Sequence, residues 1–123
     1  TCIAQCTDAR TWMEAETVCA GWGGHLATLV STQESACVGM LLGAGGRAWI
    51  GYYQDAADTE PTGGWEWTSG IASGFTNWVA PQPNNNVDIL LEGQDCAFVE
   101  GLGGAWFDHE CTGGGTFPYF CER

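Results

Sequence analysis

The sequence contains no lysine and three arginines against fifteen acidic residues, so its formal net charge at pH 7 is −12. A surface this acidic repels phosphate backbones and anionic lipid headgroups, which argues against nucleic acid as a partner. No apolar run approaches the roughly 20 residues that a membrane-spanning helix needs, so we expect no membrane span in this chain. The sequence that begins at Thr1 shows no signal-peptide pattern, and we interpret the chain as a mature or excised domain.

Catalytic motifs are missing as well. The sequence has no Gly-x-Ser-x-Gly nucleophile motif, no His-Glu-x-x-His zinc motif and no glycine-rich phosphate loop that opens a helix. Of the two histidines, we expect His25 to pack within a Gly-Gly-His-Leu-Ala turn and His109 to be a solvated loop residue. We therefore predict that the protein is not an enzyme.

Cysteine is abundant, with seven residues in 123, and their spacings fit no Cys-x-x-Cys metal site. Disulfide bonds are the better explanation, and they place the protein outside the cell or in the lumen of an oxidising compartment. An odd number of cysteines leaves at least one thiol unpaired, or bonded to something outside this chain.

Two helices are predicted from their N-terminal signals. Thr11 with Glu14 and Ser31 with Glu34 are capping boxes, in which a hydroxyl and a glutamate satisfy orphan backbone N–H groups. We expect the first helix to stop at Gly21 and the second at Gly43. Both read as amphipathic, the first with Trp12, Ala15, Glu16 and Cys19 at helical spacing, and the second with Glu34, Cys37, Val38 and Leu41.

Short β-type runs follow, separated by Gly, Pro, Asn and Asp: residues 48–53, 65–67, 96–99, 105–107 and 117–121. Helices followed by strands, without βαβ alternation, indicate an α+β domain with a mostly antiparallel sheet. A chain of this length forms one domain, residues 1–123, that can bury about two-thirds of the surface exposed when it is unfolded.

These pieces, in this order, resemble the C-type lectin-like domain over nearly the whole chain. The resemblance rests on several motifs in register: Trp12, Ala15 and Cys19; Gly23-Gly-His-Leu-Ala-Thr; Trp49-Ile-Gly; Gly64-Trp-Glu-Trp; Asn77-Trp78; Gln82-Pro-Asn; Asp95-Cys96; Trp106-Phe-Asp-His-Glu-Cys111; and Phe120-Cys-Glu. It implies a C-type lectin-like fold, with two helices flanking the sheet, a long loop region and bracing disulfides.

The resemblance also implies two disulfides, Cys19 with Cys121 and Cys96 with Cys111. In the chain-entropy model these would contribute roughly 4.7 and 3 kcal/mol of stability. Cys2, Cys6 and Cys37 lie outside these pairs. We expect one bond among the three, and we favour a buried, inert Cys37.

In sugar-binding members, calcium is held by a Glu-Pro-Asn or Gln-Pro-Asp motif, by a glutamate before Asp-Cys, and by the Asn and Asp of Trp-Asn-Asp. The resemblance carries these positions onto Gln82, Asn84, Gln94, Phe107 and Asp108. Calcium takes about six to eight oxygens, yet Asp108 alone of the five is ionised and Phe107 has no side-chain oxygen. Calcium binding is therefore expected to be weak, with Asn84 and Asp108 as ligands and Asp88 or Glu92 as substitute carboxylates.

The segment between Asn84 and Cys96 is longer than is common in the family and holds an apolar cluster. Its members are Val87, Ile89, Leu90 and Leu91. One interpretation folds these side chains inward as a small satellite core. The other leaves them exposed, and contiguous apolar surface marks a contact site for another macromolecule.

The leading hypothesis is a non-catalytic recognition or assembly module that contacts a protein partner through the long-loop region, Thr76 to His109. The alternative is a calcium-dependent carbohydrate-binding lectin with a weakened or rewired site at Gln82, Asn84, Asp108 and Glu92. Ice binding, which other proteins of this fold perform, is a minor third hypothesis, since fold alone does not define function.

Overall fold

The computed structural model describes residues 3–55, 63–84, 95–112 and 115–123. The elements run β1 (Ile3–Arg10), α1 (Trp12–Gly21), β2 (His25–Leu26), α2 (Thr32–Leu42), β3 (Arg47–Tyr53), β4 (Glu66–Trp67), β5 (Cys96–Glu100), β6 (Ala105–His109) and β7 (Phe117–Glu122). Both predicted helices and all five predicted strand runs are confirmed.

The strands form a sheet of order β1-β7-β3-β5-β6, with β2 paired to β7 and β4 paired to β3. Every named pair is antiparallel except β3 with β7. The α+β class with a mostly antiparallel sheet is thus confirmed. β1 was not predicted, because the sequence pattern placed the helices before all of the strands. The structure pairs β1 with β7, from Ile3 opposite Glu122 to Arg10 opposite Phe117.

Alternate residues of β3 enter two separate cores on the two faces of the sheet. Ala48, Ile50 and Tyr52 pack with Val38 of α2 in one buried cluster, which we call the α2-side core. Trp49 packs in the other, the α1-side core, with Trp12, Ala15 and Cys19 of α1. The two helices therefore cover opposite faces of the sheet.

The helix ends follow the predicted local signals. Thr11 and Glu14 form a complete capping box, and Trp22 follows the last residue of α1. Ser31 caps α2 by accepting the N–H of Glu34 at 3.1 Å. The Glu34 carboxylate accepts instead the N–H of Val30, at 2.6 Å, one residue before the predicted position. Gly43 ends α2 as expected, with φ at 75°.

The buried face of α2 differs from the predicted stripe. The buried residues are Ser35, Val38 and Gly39, whereas Leu41 is 57% exposed. The expectation of a buried Cys37 is wrong, because its thiol is exposed. Two small residues turn inward because the backbone after β5 lies against the helix: a Cβ on Gly39 would come within 2.5 Å of the Leu102 carbonyl oxygen.

Both implied disulfides are present. Cys19 is bonded to Cys121 and Cys96 to Cys111, each with its Cα atoms 5.3 Å apart. The first joins α1 to β7 across the α1-side core, and the second ties β5 to the segment after β6. Cys6 carries a free thiol. The expected bond among Cys2, Cys6 and Cys37 stays a prediction, since Cys2 lies outside the described residues.

Candidate functional site

Residues 77–79, which we call the foot of the long loop, are attached to β6 by backbone hydrogen bonds. The Trp106 N–H donates to the Asn77 carbonyl at 2.9 Å, and the Val79 N–H donates to the Trp106 carbonyl at 3.1 Å. Asn77 also donates its side-chain amide to the Gly104 carbonyl at 2.8 Å. These bonds hold residues 77–79 beside β6, so the segment that follows begins at the C-terminal half of that strand.

Three residues of the predicted calcium and sugar site converge at this point. The backbone N–H of Asp108 donates to Gln82 Oε1 at 3.3 Å. The backbone N–H of Asn84 donates to Asp108 Oδ2 at 3.0 Å. Pro83, between the two amides, is buried. Gln82, Asn84 and Asp108 are thus brought together as the resemblance implied.

These contacts make Asp108 part of the structure that holds the long loop. Its side chain lies on β6, it is only 3% exposed, and one of its carboxylate oxygens accepts a backbone N–H from the 82–84 segment. A carboxylate hydrogen-bonded to a backbone N–H is a strong, charge-assisted contact. Asp108 therefore fixes the start of the long loop against β6.

Phe107, the other position taken from Trp-Asn-Asp, faces the α1-side core. Its ring stacks on Phe98 with centroids 5.2 Å apart and an interplanar angle of 7°. An asparagine in the family pattern would offer an oxygen here, whereas Phe107 gives a partly buried ring that packs against the α1-side core.

The described donors do not fit a calcium ion. Calcium takes about six to eight oxygens, and this set offers two neutral amides and one nearly buried carboxylate, with an aromatic ring at the fourth position. Within residues 3–55, 63–84, 95–112 and 115–123 there is also no group of three or more His, Cys, Asp or Glu side chains suited to a metal. Glu92 and Gln94 lie outside these ranges, as do Asp88 and the cluster formed by Val87, Ile89, Leu90 and Leu91.

His109 is not the solvated loop residue that we expected. It belongs to β6, its side chain is 25% exposed, and its ring lies near those of Trp49, Phe98 and Phe117 at centroid distances of 5.9, 5.7 and 5.5 Å. Its Nδ1 is 3.3 Å from a carboxylate oxygen of Glu110, which is itself buried. The residue therefore serves packing on the α1 side of the sheet. His25, in contrast, is half exposed and bonds the Glu16 carboxylate at 2.7 Å.

An aromatic surface beside the loop was not recognised as a possible site from the sequence. Trp65 and Trp78 are partly exposed, pack edge to face with centroids 4.8 Å apart, and both lie over Tyr52. A cleft of about 440 Å³ opens next to Trp65, between β4 and residues 70–73. The signal available was the pair of tryptophans in two loop-flanking motifs, Gly64-Trp-Glu-Trp and Asn77-Trp78, but their contact depends on the fold.

Comparisons with known proteins agree with this architecture. A family model described as the Lectin C-type domain matches residues 8–123. Mouse C-type lectin domain family 10 member A is 34% identical over 116 residues, which are 92% of this chain and 35% of that protein. The chain spans still less, 7%, of mouse C-type mannose receptor 2. The chain therefore belongs to the C-type lectin domain family.

Solved structures give the same result. The Kupffer cell C-type lectin receptor Clec4f superposes with a TM-score of 0.79 and 30% identity, covering 97% of this chain and 75% of that one. A calcium-independent type II antifreeze protein superposes with a TM-score of 0.78 and 26% identity, covering 98% and 83%. C-type lectin domains are in general non-catalytic binding modules, and they bind glycans or proteins.

The two disulfides fit an oxidising environment, and relatives in this family are mostly extracellular or secreted. In the part of the chain that the structure describes, no helix has both the length and the apolar character needed to cross a bilayer.

Proposed function

We propose that this chain is a secreted, non-catalytic recognition module that binds a protein partner through its long-loop region, Thr76 to His109, without calcium. In this proposal the contact is made by Val87, Ile89, Leu90 and Leu91, together with the partly exposed tryptophans at the loop's foot. Sugar binding is not the principal activity of the site.

The observation that carries the proposal is the use of Asp108. In a calcium-dependent site this carboxylate would coordinate the ion, but here one of its oxygens accepts the Asn84 N–H and the side chain is 3% exposed. That oxygen already serves the backbone, and the low exposure of the side chain restricts the access of an ion to the carboxylate. The geometry thus favours a loop that is held in place by the protein alone.

The aromatic surface supports a protein partner. Tryptophan is enriched at protein interfaces and carries much of their binding energy. Trp65 and Trp78 form such a surface next to the point where the long loop departs. A calcium-independent member also exists among the structures that superpose on this chain, so the fold does not require the ion.

The second candidate is a calcium-dependent lectin with a rewired site. What favours it is the convergence of Gln82, Asn84 and Asp108, the same positions that the family uses. In this case Glu92 would supply a missing carboxylate, and Gln94 a further oxygen. Ice binding is the third candidate, since type II antifreeze proteins are among the structures with this fold.

Two experiments separate the candidates. Calorimetric titration with calcium, in the presence and absence of mannose or galactose, is expected to give no sugar-dependent heat. The oxidised chain, immobilised in EDTA, is then exposed to extracellular fluid of its source. The bound proteins are quantified by mass spectrometry for the wild type and for the variant with Ile89→Asp and Leu90→Asp.

Met13→Asp is the matched control, because Met13 is 51% exposed but lies on α1, outside the proposed contact. A protein that is bound by the wild type and the control, and lost from the Ile89 and Leu90 variant, is the expected result. Retention on a mannose or galactose column in calcium, with release by EDTA, would establish the lectin instead. If circular dichroism finds the loop variant unfolded, the apolar cluster is internal packing and the protein-binding proposal is wrong.

A further inference from the structure

The outward side of α2 carries an apolar stripe that is largely exposed. Cys37, Met40 and Leu41 are spaced i, i+3 and i+4, so they are neighbours on one face of the helix. Cys37 is exposed, and the exposed fractions of Met40 and Leu41 are 74% and 57%. The opposite face buries Ser35, Val38 and Gly39. We call these three exposed residues, with the exposed Gln33 one turn earlier, the α2 outer face.

This face carries no formal charge, although the chain has a net charge of −12. Among the eleven residues of α2, Glu34 is the one acid and there is no base. The Glu34 carboxylate is directed back to the N-terminal end, where it accepts the N–H of Val30. Two copies of so acidic a chain repel each other over most of their surface. The α2 outer face is a place where two copies can meet without bringing like charges together.

Cys37 is also available for an intermolecular disulfide in an oxidising environment, because it is exposed and unbonded among the described residues. Four of the seven cysteines form the two disulfides, and an odd number cannot all be paired within one chain. Two copies that share one bond contain an even number, so every cysteine can then be oxidised.

Pairing of Cys37 with Cys6 in the same chain does not fit the fold. Cys6 lies on the edge strand β1 and packs against the α1-side core, whereas α2 covers the other face, near the turn between β5 and β6. β7 and β3 separate β1 from β5, which at about 4.8 Å per strand is roughly 14 Å. A disulfide requires Cα atoms closer than about 7 Å.

We propose that the α2 outer face is the contact between two copies of this chain, which are joined by a Cys37–Cys37 disulfide on a two-fold axis. In an isologous interface only a residue on the axis meets its own copy, so the disulfide defines where the axis passes. Met40 and Leu41 of each copy then lose water on association. The two thiols give up two protons and two electrons to a disulfide oxidant of the compartment, which is reduced to two thiols.

A second copy accounts for all three observations together. The face is apolar, it is uncharged on an acidic chain, and its cysteine has no partner available in the described fold. A basic partner would not need an uncharged face, because the acidic remainder of the surface would already attract it. The inference does not depend on the long-loop proposal, since no residue of the α2 outer face takes part in it.

The test uses the whole chain, folded under oxidising conditions. We expect light scattering and a non-reducing gel to give twice the monomer mass, and peptide mapping to recover a Cys37–Cys37 cross-link. Cys37→Ser should give a monomer on the gel with the same circular dichroism, because the side chain is exposed. The double variant Met40→Glu and Leu41→Glu retains the thiol but should lower the dimer fraction at least tenfold in a glutathione redox buffer.

Met13→Glu is the matched control, since Met13 is 51% exposed on α1, and it should leave the dimer fraction unchanged. The proposal is overturned if the oxidised wild type is a monomer with a free Cys37. It is equally overturned if mapping finds Cys37 bonded to Cys2, Cys6, glutathione or another protein, or if Met13→Glu lowers the dimer fraction as much as the α2 double variant does.

Discussion

The indole nitrogen of Trp106 donates a hydrogen bond to the hydroxyl of Ser35 at 3.0 Å, and neither residue has any exposed surface. The same hydroxyl donates to the Gly104 carbonyl at 2.7 Å and accepts from the Asn77 side chain at 3.2 Å. One hydroxyl therefore connects α2, β6 and the foot of the long loop. This junction holds α2, which carries the α2 outer face, beside residues 77–79.

Ser35→Ala is expected to destabilise the protein by about 1–3 kcal/mol, because it leaves the buried Trp106 N–H without its acceptor. Urea unfolding followed by tryptophan fluorescence measures the loss. Thr17→Ala is the control, since its hydroxyl bonds the Met13 carbonyl within the exposed side of α1, and we expect a change below about 0.5 kcal/mol. Equal losses in the two variants would contradict the role given to Ser35.

Gly39 and Gly21 offer a matched pair of helical glycines. A Cβ on Gly39 would lie 2.4 Å from the Gly104 nitrogen and 2.5 Å from the Leu102 oxygen, whereas a Cβ on Gly21 would meet nothing within 4 Å. Gly39→Ala should therefore destabilise by about 1–3 kcal/mol through overpacking. Gly21→Ala should stabilise by up to about 1 kcal/mol through helix propensity. Thermal unfolding of both variants tests this, and a stabilising Gly39→Ala would mean that α2 lies further from the β5–β6 turn.

The raised pKa of Tyr119 makes the free energy of unfolding depend on pH in the alkaline range. Burial, together with a hydrogen bond that its hydroxyl donates to Asp8 at 3.1 Å, raises the pKa of Tyr119 to about 12. A tyrosine in the unfolded chain loses its proton near pH 10. Between these values the unfolded state binds fewer protons than the folded state, so the free energy of unfolding falls as the pH rises from about 10 to 12.

In Tyr119→Phe this decrease should be smaller, while stability at pH 7 should drop by about 0.5–1.5 kcal/mol because the hydrogen bond is lost. Urea unfolding at pH 8, 10 and 11, with free thiols alkylated, gives both numbers. Tyr53→Phe is the control, because it removes a hydroxyl that bonds the exposed Glu66, and it should keep the wild-type pH dependence. An identical dependence in Tyr119→Phe would place the alkaline transition elsewhere.

Calcium affinity should respond to restoration of the family ligands. The wild type is expected to bind calcium no more tightly than about millimolar. The double variant Gln94→Glu and Phe107→Asn adds one carboxylate and one amide oxygen, and we expect at least a tenfold gain in affinity. Loss of the stack of Phe107 on Phe98 should cost the folded state about 0.5–1.5 kcal/mol, in addition to the lost burial of the ring.

Gln94→Glu with Phe107→Leu is the control for calcium, because it disrupts the same stack without adding an amide oxygen. Calorimetry on the three proteins gives the comparison. An unchanged affinity in the asparagine variant would show that these positions are not where the family resemblance puts them.

Local chemistry determined the parts of this protein that could be predicted from the sequence. Thr11 and Ser31 define the starts of both helices because a cap is satisfied within four residues. The strand runs were recognisable from β-branched and aromatic residues between turn residues. The two disulfides, and the convergence of Gln82 with Asp108, followed from motifs in register with the family.

Tertiary contacts decided the rest. β1 exists because its backbone pairs with β7, more than a hundred positions away, and its own side chains show no apolar alternation that predicts it. Helical spacing predicted that Cys37 and Leu41 belong to the buried stripe of α2. The turn after β5 lies so close to the helix that small residues, Ser35 and Gly39, must face it instead. The close contact between α2 and this turn leaves the larger apolar side chains of the helix and the Cys37 thiol exposed. The contact involves residues more than sixty positions away along the chain, which local periodicity does not reveal.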